Sequence, residues 1–341
     1  MKLNLFIFSI FLGLGISSAS ADDNIGLRTI TQDGRVKCGT DISSKTLAYK
    51  DADGFWHGYA VDWCKIFAKA MLDRSDAFEM IDISEEDMES AFSMDKIDIM
   101  IGAGPISANK EYKSETIAAN TILYDYQSIM VRKIDGAKSL QDYKGERVCA
   151  IADSTEASNM KKYIDTYNLD LSVLPLKDKK QAREAFMLKR CNLITGSKAY
   201  LISMHQNNLG GKDTFQIIPE NVGVKQEYVY VKYANNKLRV LTKWVINSMQ
   251  LAEENDINSQ NIGIIIGIND VSLKNLLGDN EATWKSLGLN NPKWVRDAIG
   301  EFGNFGEIYD RNFGTETIFK FERGNNNLHD NGGLIIPHPF L

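Results

Sequence analysis

The stretch KIDIMIGAGPISANKE, residues 96–111, combines the signals of a strand, a tight loop and a helix start. Residues 97–101 form a short, mostly apolar run, long enough for one buried strand and too short for a helix. The glycines and proline of residues 102–105 end this run. Ser107 then stands at a favoured helix-cap position, and Lys110 follows in the first turn. The pattern predicts a strand that passes through a glycine-rich loop into a helix.

This junction has two interpretations. The free N–H groups and the dipole of a helix N-terminus favour anions, and the Ser107 hydroxyl and Lys110 ammonium groups would add to that preference. The alternative is an ordinary strand-to-helix connection in which Lys110 is solvated. Taken alone, the stretch is compatible with both.

The N-terminus has the features of a secretory signal peptide, which we place at residues 1–21. Lys2 supplies the positive charge, residues 3–16 form the apolar core, and Ala19-Ser20-Ala21 has the small-x-small form of a cleavage site. A retained membrane anchor is the alternative, although the apolar core is short for a bilayer span. We therefore expect an exported, periplasmic protein.

Composition and net charge limit the classes of function that the chain can have. The 341-residue chain is 43% hydrophobic, has a net charge of −6 and contains no basic run, which argues against a nucleic-acid partner. The part after the signal peptide is too long for one typical core and suits two lobes. We expect a monomer.

All four cysteines lie after the signal peptide, which favours disulfides in an oxidising compartment. Four cysteines allow three pairings, and sequence proximity favours Cys38 with Cys64 and Cys149 with Cys191. Zinc is disfavoured because there is no CxxC motif and the four histidines are scattered. We expect no metal and no cofactor.

Apolar periodicity predicts alternating strands and helices in two successive units, hence parallel sheets with helices on both faces. Further extended segments are predicted at residues 126–131 and 226–232, which would carry the chain between the units. We place the first lobe at residues 22–131 plus 233–341 and the second lobe at residues 132–232. Two crossovers of this kind form a hinge.

The chain resembles the extracellular solute-binding proteins of family three, the receptors of polar amino-acid ABC transporters, and within them the general L-amino-acid-binding subgroup. The segments that carry the resemblance are VKCGTD (36–41), DGFWHGYAVDWCKIFAKAM (53–71), LYDYQSIMVRK (123–133), RVCAIADSTEASN (147–159), RCNLI (190–194), KNLLGDNEATWKSLGLNNPKWVRDAIGEFGNFGEIYDRNFG (274–314) and NGGLIIPHP (331–339). The long C-terminal run and the cysteine placement are its most specific parts. The resemblance implies an α/β periplasmic-binding-protein fold, with two α/β lobes joined by two β crossovers and one disulfide inside each lobe.

The resemblance also implies ligand contacts. The family's Thr-x-x-Arg, which holds a ligand carboxylate, falls on Ser107 and Lys110. Its Gly-Thr-Thr at the second-lobe helix start falls on residues 153–155, which include Ser154 and Thr155. The acidic residue that holds the ligand's ammonium group falls on Ser197, and the apolar wall of the first lobe falls near Leu47.

Two of these positions depart from the family pattern. Lysine is a point charge and cannot form the planar bidentate contact of arginine with a carboxylate, and Ser197 cannot offset a desolvated ammonium group. Glu156 and Asp41 are the carboxylates that we expect to compensate. The alternative for each is a capping role at a helix or turn.

Three functions follow from these observations. The first is a transport receptor that binds a small amino acid or related zwitterion, closes, and docks to permease subunits in the inner membrane. The second is a soluble sensor or degenerate scaffold without tight amino-acid binding. The third is a dehydratase-like periplasmic enzyme, which would need a general acid in the cleft.

Overall fold

The computed structural model of the chain describes residues 25–43, 45–134, 137–206, 214–265 and 269–341. The predicted signal peptide, residues 1–21, lies outside these ranges. Within them, the strands are β1 (Val36–Thr40), β2 (Tyr49–Lys50), β3 (Trp56–His57), β4 (Phe78–Asp82), β5 (Ile99–Ala103), β6 (Thr116–Arg132), β7 (Glu146–Ile151), β8 (Leu171–Leu176), β9 (Leu193–Ser197) and β10 (Phe215–Lys232).

Helices connect the strands and make up most of the C-terminal part of the chain. They are α1 (Ile25–Asp33), α2 (Tyr59–Leu72), α3 (Met88–Ser93), α4 (Ala108–Glu111), α5 (Thr155–Thr166), α6 (Lys179–Met187), α7 (Lys198–Gln206), α8 (Asn236–Glu254), α9 (Val271–Leu276), α10 (Glu281–Ser286), α11 (Trp294–Phe302) and α12 (Phe305–Phe313).

Eight strands form one mixed sheet in the order β4-β1-β5-β10-β6-β9-β7-β8. At one end β1 pairs in parallel with β4 and β5, and at the other β7 pairs in parallel with β8 and β9. We call these ends, with their helices, the first and second lobes. Strands β6 and β10 lie between them and pair antiparallel with each other.

The two central strands are long enough to belong to both lobes. β6 has 17 residues and β10 has 18. Their register shifts between Ile218 and Gly223, near the middle of the pair. The prediction of two α/β lobes joined by two β crossovers is confirmed. The predicted lobe boundaries at residues 131 and 232 fall near the ends of these strands and stay a prediction.

The first lobe has the larger core because the C-terminal helices pack against α2. Trp63 on α2 is fully buried and lies 6.0 Å, ring centre to ring centre, from Phe305 on α12. Arg311 on α12 also donates to Asp62 on α2 at 2.8 Å. The C-terminal run that carries much of the resemblance therefore stabilises the first lobe.

Each lobe contains one disulfide. Cys38 on β1 is bonded to Cys64 on α2, and Cys149 on β7 is bonded to Cys191, which precedes β9. These are the pairs that sequence proximity favoured. All four cysteine side chains are buried. The first bond connects a strand to a helix of the first lobe, and the second connects a strand to the residue that precedes another strand of the second lobe.

Residues 96–111 fold as a strand, a loop and one helical turn. The strand is β5, two residues later than predicted, and Ser107 is the N-cap residue of α4, whose four residues are all exposed. The larger difference is β6, which begins at Thr116 rather than near Tyr126. Its first half is stabilised by pairing with β10, a long-range contact that local periodicity does not report.

In the described part of the chain, we find no helix with the length and apolar character that a bilayer span requires.

Candidate functional site

A small cavity of about 50 Å³ lies between the two lobes. It is located where the carboxyl ends of the parallel strands of both lobes face each other, the usual place for ligands in open α/β sheets. Its lining residues are Asp41, Thr46, Leu47, Glu85, Gly102, Leu123, Asp125, Ile151, Glu156, Lys179, Ala182, Ile194, Thr195, Gly196, Ser197, Tyr200, Lys225 and Glu227.

The first lobe contributes residues that directly follow its strands. Asp41 comes after β1, Glu85 is the third residue after β4, and Gly102 lies in β5. Gly102 has φ +79°, and a Cβ atom at this position would overlap the Cδ1 atom of Leu47. Leu47 therefore packs onto the bare backbone of β5 and forms an apolar wall of the cavity.

The second lobe contributes the starts of its helices. Lys179 is the first residue of α6 and Glu156 is the second residue of α5. Ser197 is the last residue of β9, and its hydroxyl oxygen accepts a hydrogen bond from the Tyr200 amide at 3.3 Å. Short strand-to-helix connections bring these three side chains to the same edge of the sheet.

The crossing strands form the base of the cavity. Leu123 and Asp125 alternate on β6, as Lys225 and Glu227 do on β10, so each pair faces the same side of the sheet. Asp125, Lys225 and Glu227 are all more than nine-tenths buried. Burying a charge on a central strand is costly unless the charge is paired. A group of three such residues therefore indicates a binding site rather than an apolar core.

Lys225 is the centre of an ion-pair network. Its Nζ atom lies 3.0 Å from Glu227 Oε1, 3.1 Å from Glu85 Oε1 and 3.7 Å from Glu156 Oε1. The three carboxylates come from β10, the first lobe and the second lobe, so one ammonium group connects all three parts of the site.

Lys179 links the two lobes directly. Its Nζ atom lies 2.7 Å from Asp41 Oδ2 and 3.4 Å from Glu85 Oε1, both in the first lobe. Asp41 also accepts a hydrogen bond from the Ser43 amide at 2.9 Å. Burial alone would raise the pKa of Asp41, but the charge and hydrogen bond of Lys179 prevail and hold it below its usual range.

Two carboxyl groups in the cavity have raised pKa values. Burial raises the pKa of Glu227 to about 8, although the nearby Lys225 ammonium opposes this effect. Burial also raises the pKa of Asp125 to about 6, although hydrogen bonds from the Ser197 side chain and the Ala199 amide oppose it. Near neutral pH, the Glu227 carboxyl therefore holds a proton in much of the ligand-free population.

Glu85 behaves in the opposite way. Burial would raise the pKa of its carboxyl group, but the charges of Lys225 and Lys179 outweigh burial and lower the pKa to about 2. Burial would lower the pKa of Lys225, but the charges of Glu227, Glu85 and Glu156 raise it well above its ordinary value. Glu85 and Asp41 likewise raise the pKa of Lys179 against the effect of burial. Both lysines are therefore ammonium ions at physiological pH.

Two buried oxygen atoms at the cavity have no hydrogen-bond partner among the described residues. They are Oε2 of Glu227 and Oγ1 of Thr46. A buried polar atom without a partner costs about 1–3 kcal/mol, so such atoms are uncommon unless a ligand or water binds them.

The structure brings four of the predicted ligand residues to the cavity and leaves four outside its lining. Asp41, Leu47, Glu156 and Ser197 line it. Ser107 and Lys110 are exposed on the α4 turn, Thr155 is exposed at the start of α5, and the Ser154 hydroxyl accepts from the Ala157 amide as the helix cap.

The position of α4 explains part of this difference. β5 presents Gly102 to the cavity, and by residue 107 the chain has left the sheet edge for the surface. The anion-binding role predicted for Ser107 and Lys110 therefore has no geometric support in this closed arrangement and stays a prediction. The ligand roles of the four lining residues are likewise predictions that the geometry permits.

Sequence reasoning missed the residues that carry most of the charge. They are Glu85, Asp125, Lys179, Lys225 and Glu227. A signal was present in three of them, because Asp125 interrupts an otherwise apolar and aromatic strand, and Lys225 and Glu227 alternate on one face of another. Their meeting depends on the β6–β10 pairing, which spans about a hundred residues of sequence.

A metal centre is not indicated by the described residues, which contain no group of three or more His, Cys, Asp or Glu side chains arranged to hold an ion. The carboxylates of the cavity are instead held apart by the two lysine ammonium groups.

No family model matches the chain. Curated proteins match it along its whole length. It is 27% identical over 339 residues to the general L-amino acid-binding periplasmic protein AapJ of Rhizobium johnstonii, covering 99% of this chain and 98% of that protein. It is 25% identical to the glutamate/glutamine/aspartate/asparagine-binding protein BztA of Rhodobacter capsulatus, with full coverage of both.

Solved structures support the same fold. A periplasmic binding protein of an ABC transporter from Brucella ovis, with glutathione bound, superposes with a TM-score of 0.82 at 24% identity, over 92% of this chain and 99% of that one. The L-cysteine solute receptor of Neisseria gonorrhoeae gives a TM-score of 0.53 at 16% identity, over 67% and 90%. The chain is thus similar along its whole length to amino-acid-binding proteins, one of them named as periplasmic, and it has the two-lobed fold of periplasmic binding proteins.

Proposed function

We propose that the chain is the substrate-binding component of an amino-acid ABC transporter. It captures a small amino acid or a related zwitterion between its lobes and delivers it to the permease. The observation that carries this proposal is the cavity itself, which is lined by charged groups from both lobes and from both crossing strands. Only a solute placed between the lobes can contact all four sources at once.

Binding requires the lobes to separate. Sites for small molecules typically enclose about 300–1,000 Å³, whereas this cavity measures about 50 Å³. In our account the lobes rotate about β6 and β10, the solute enters, and its polar groups take over contacts that the lysines and carboxylates now make with each other. Affinity then depends on contacts formed only in the closed state.

The setting of this activity is also part of the proposal. We place the chain in the periplasm as a monomer, with the permease subunits of the inner membrane as its partner. The name of AapJ, which is a periplasmic protein, and the disulfide in each lobe of this chain support this setting.

A thermal-unfolding screen tests the proposal. The ligand-stripped protein is heated with each of the twenty amino acids, small amines, dicarboxylates and glutathione. A solute at 100 times its dissociation constant stabilises the folded state by about 2.7 kcal/mol, which raises the melting temperature by several degrees. If no compound shifts the transition, the degenerate scaffold replaces the receptor as the better account.

An enzyme is the second candidate function. Burial raises the pKa of the Glu227 carboxyl to about 8, and this group faces the cavity, where it could act as a general acid. The curated relatives are nevertheless named as binding proteins. We infer that this chain binds its solute without transforming it. Recovery of the solute unchanged after prolonged incubation is the expected result, and conversion to a product would favour the enzyme.

A further inference from the structure

We propose that the solute of this cavity carries a net positive charge and that Glu227 binds its cationic group through Oε2. This inference rests on the function proposed above and specifies its ligand class. It depends on three features of the described cavity. They are the excess of carboxyl groups over ammonium groups, the ion pairs that both lysines already make, and one buried carboxylate oxygen atom without a partner.

The charge balance of the cavity is strongly acidic. Five carboxyl groups line it, those of Asp41, Glu85, Asp125, Glu156 and Glu227, and they face the two lysine ammonium groups of Lys179 and Lys225. No arginine or histidine is among the lining residues. An anionic solute would add to this excess in a site with little water, whereas a cation would reduce it.

The ammonium groups of both lysines are already paired with carboxyl groups of the cavity. Lys225 contacts carboxylates from Glu85, Glu156 and Glu227, and Lys179 contacts Asp41 and Glu85. Two of the Lys225 contacts, to Glu227 at 3.0 Å and Glu85 at 3.1 Å, are within hydrogen-bond distance, and the third, to Glu156, is an ion pair at 3.7 Å. A solute carboxylate that recruited either lysine would break an existing buried ion pair.

Glu227 supplies the unfilled position. Its Oε1 atom pairs with Lys225 at 3.0 Å, while Oε2 is buried at the cavity without a partner among the described residues. The side chain is 8% exposed, so bulk water satisfies this oxygen poorly. A solute ammonium or guanidinium group would favour the ionised form of Glu227, donate to Oε2 and complete the network.

Asp125 adds a second carboxyl group beside the position where the resemblance had placed the family's acidic residue. The Ser197 hydroxyl donates a hydrogen bond to Asp125, and the Ala199 amide donates to its Oδ2 atom at 3.2 Å. A cation in the cavity would favour the ionised form of both Asp125 and Glu227, whose pKa values burial now raises.

Matched pairs of solutes test the charge class on the unmodified protein. Calorimetric titration of the ligand-stripped protein compares arginine with citrulline and lysine with norleucine, which have similar size but differ by one positive charge. Glutamate represents the anionic class. We expect each cationic member to bind at least about 30-fold more tightly than its neutral partner.

Variants then test Glu227. Glu227→Gln keeps the size of the side chain and removes its charge, so the affinity for the cationic solute should fall by about 30- to 1,000-fold. Glu316→Gln removes an exposed carboxylate that is not among the residues lining the cavity, and it should bind like the unmodified protein. Glu227→Asp, which retains the charge, should recover part of the lost affinity.

The outcomes separate this inference from the proposed function. Equal or tighter binding of citrulline, norleucine or glutamate would overturn the inference and leave the receptor function intact. Cation binding that is unchanged in a folded Glu227→Gln protein would also overturn it. If no compound of the panel binds, the receptor function fails and the inference fails with it.

Discussion

At the scale of single residues, the cavity holds carboxyl groups in two different electrostatic environments. Glu85 lies between two ammonium groups and stays ionised to low pH, with a pKa of about 2. Glu227 is more deeply buried, its direct partner among the described residues is Lys225, and its pKa is raised to about 8. One cavity therefore contains both a fixed anion and a carboxyl group that titrates near neutral pH.

The raised pKa of Glu227 predicts how stability depends on pH. The folded chain holds this proton up to about pH 8, whereas an unfolded glutamate releases it near its ordinary value of 4.5. The stabilising contribution is complete below the unfolded value and is lost as pH rises through about 8. We expect Glu227 to lower the free energy of unfolding by on the order of 2–4 kcal/mol over this range.

Chemical unfolding of the ligand-free protein at pH 5, 6.5, 8 and 9 measures this effect. The stability of Glu227→Gln should fall less steeply with pH than that of the unmodified protein, while Glu316→Gln should follow the unmodified protein. Parallel curves for Glu227→Gln and the unmodified protein would contradict the assignment. The other titratable or charged groups around the cavity, common to all three proteins, are Asp41, Glu85, Asp125, Glu156, Lys179, Tyr200 and Lys225.

Gly102 gives a second prediction at this scale. Gly102→Ala would impose a left-handed backbone on alanine and push a methyl group into Leu47, whereas Gly54→Ala has a similar positive φ with open space around it. Backbone strain alone costs about 1–2 kcal/mol, and overpacking adds about 1–3 kcal/mol. Urea unfolding should therefore show a clearly larger loss for Gly102→Ala, and equal losses would refute the contact between Gly102 and Leu47.

The sequence allowed part of the site to be predicted. Asp41, Leu47, Glu156 and Ser197 were chosen by resemblance or by their place at a strand or helix end, and each lines the cavity. Lys225 and Glu227 could not be chosen in that way because a charge on a strand normally marks a solvated face. Only the pairing of β10 between β5 and β6 makes these two side chains buried.

At the scale of elements, the short strands and helices follow from local signals. The apolar run of residues 97–101 and the turn residues after it predict β5 to within two residues of its observed bounds, Ile99–Ala103. The long strands β6 and β10 were predicted only in part. Each strand has charged residues that face the cavity in its middle part. These residues interrupt the apolar pattern that would identify a strand from the sequence.

The disulfide of the second lobe gives the prediction at this scale. Cys149 on β7 and Cys191 before β9 are separated by 42 residues, and their bond restricts the unfolded chain across β8 and α6. Replacing both with serine should lower the free energy of unfolding by about 2–5 kcal/mol. Urea unfolding of oxidised protein measures this loss.

The matched control for that experiment is chemical reduction. Reducing agent should destabilise the unmodified protein further than the double serine variant, because only the unmodified protein has two bonds to lose. If the variant unfolds at the same urea concentration as the oxidised unmodified protein, the bond does not contribute as described.

At the scale of the whole molecule, side chains of the two lobes contact each other across the cleft. Lys179 on α6 of the second lobe holds Asp41 and Glu85 of the first, and the space that remains is far smaller than a typical solute site. These contacts stabilise the closed arrangement, and they compete with solute entry. The balance between open and closed states is therefore part of the apparent affinity.

Removing the bridge should shift that balance. Lys179→Gln loses both ion pairs across the lobes, so the ligand-free protein should become more open and its radius of gyration should increase in small-angle X-ray scattering. Lys180→Gln changes the neighbouring, exposed lysine and should leave the scattering curve unchanged. Identical curves for Lys179→Gln and the unmodified protein would show that other contacts hold the lobes together.

The central claim is that a solute binds between the lobes against the charged base formed by β6 and β10. A crystal structure of the protein with the tightest binder from the thermal screen tests this claim most directly. We predict that the solute lies within hydrogen-bond distance of Glu227 and of at least one second-lobe residue, and that the cavity is enlarged around it. A solute bound to one lobe alone, or outside the cleft, would contradict the account.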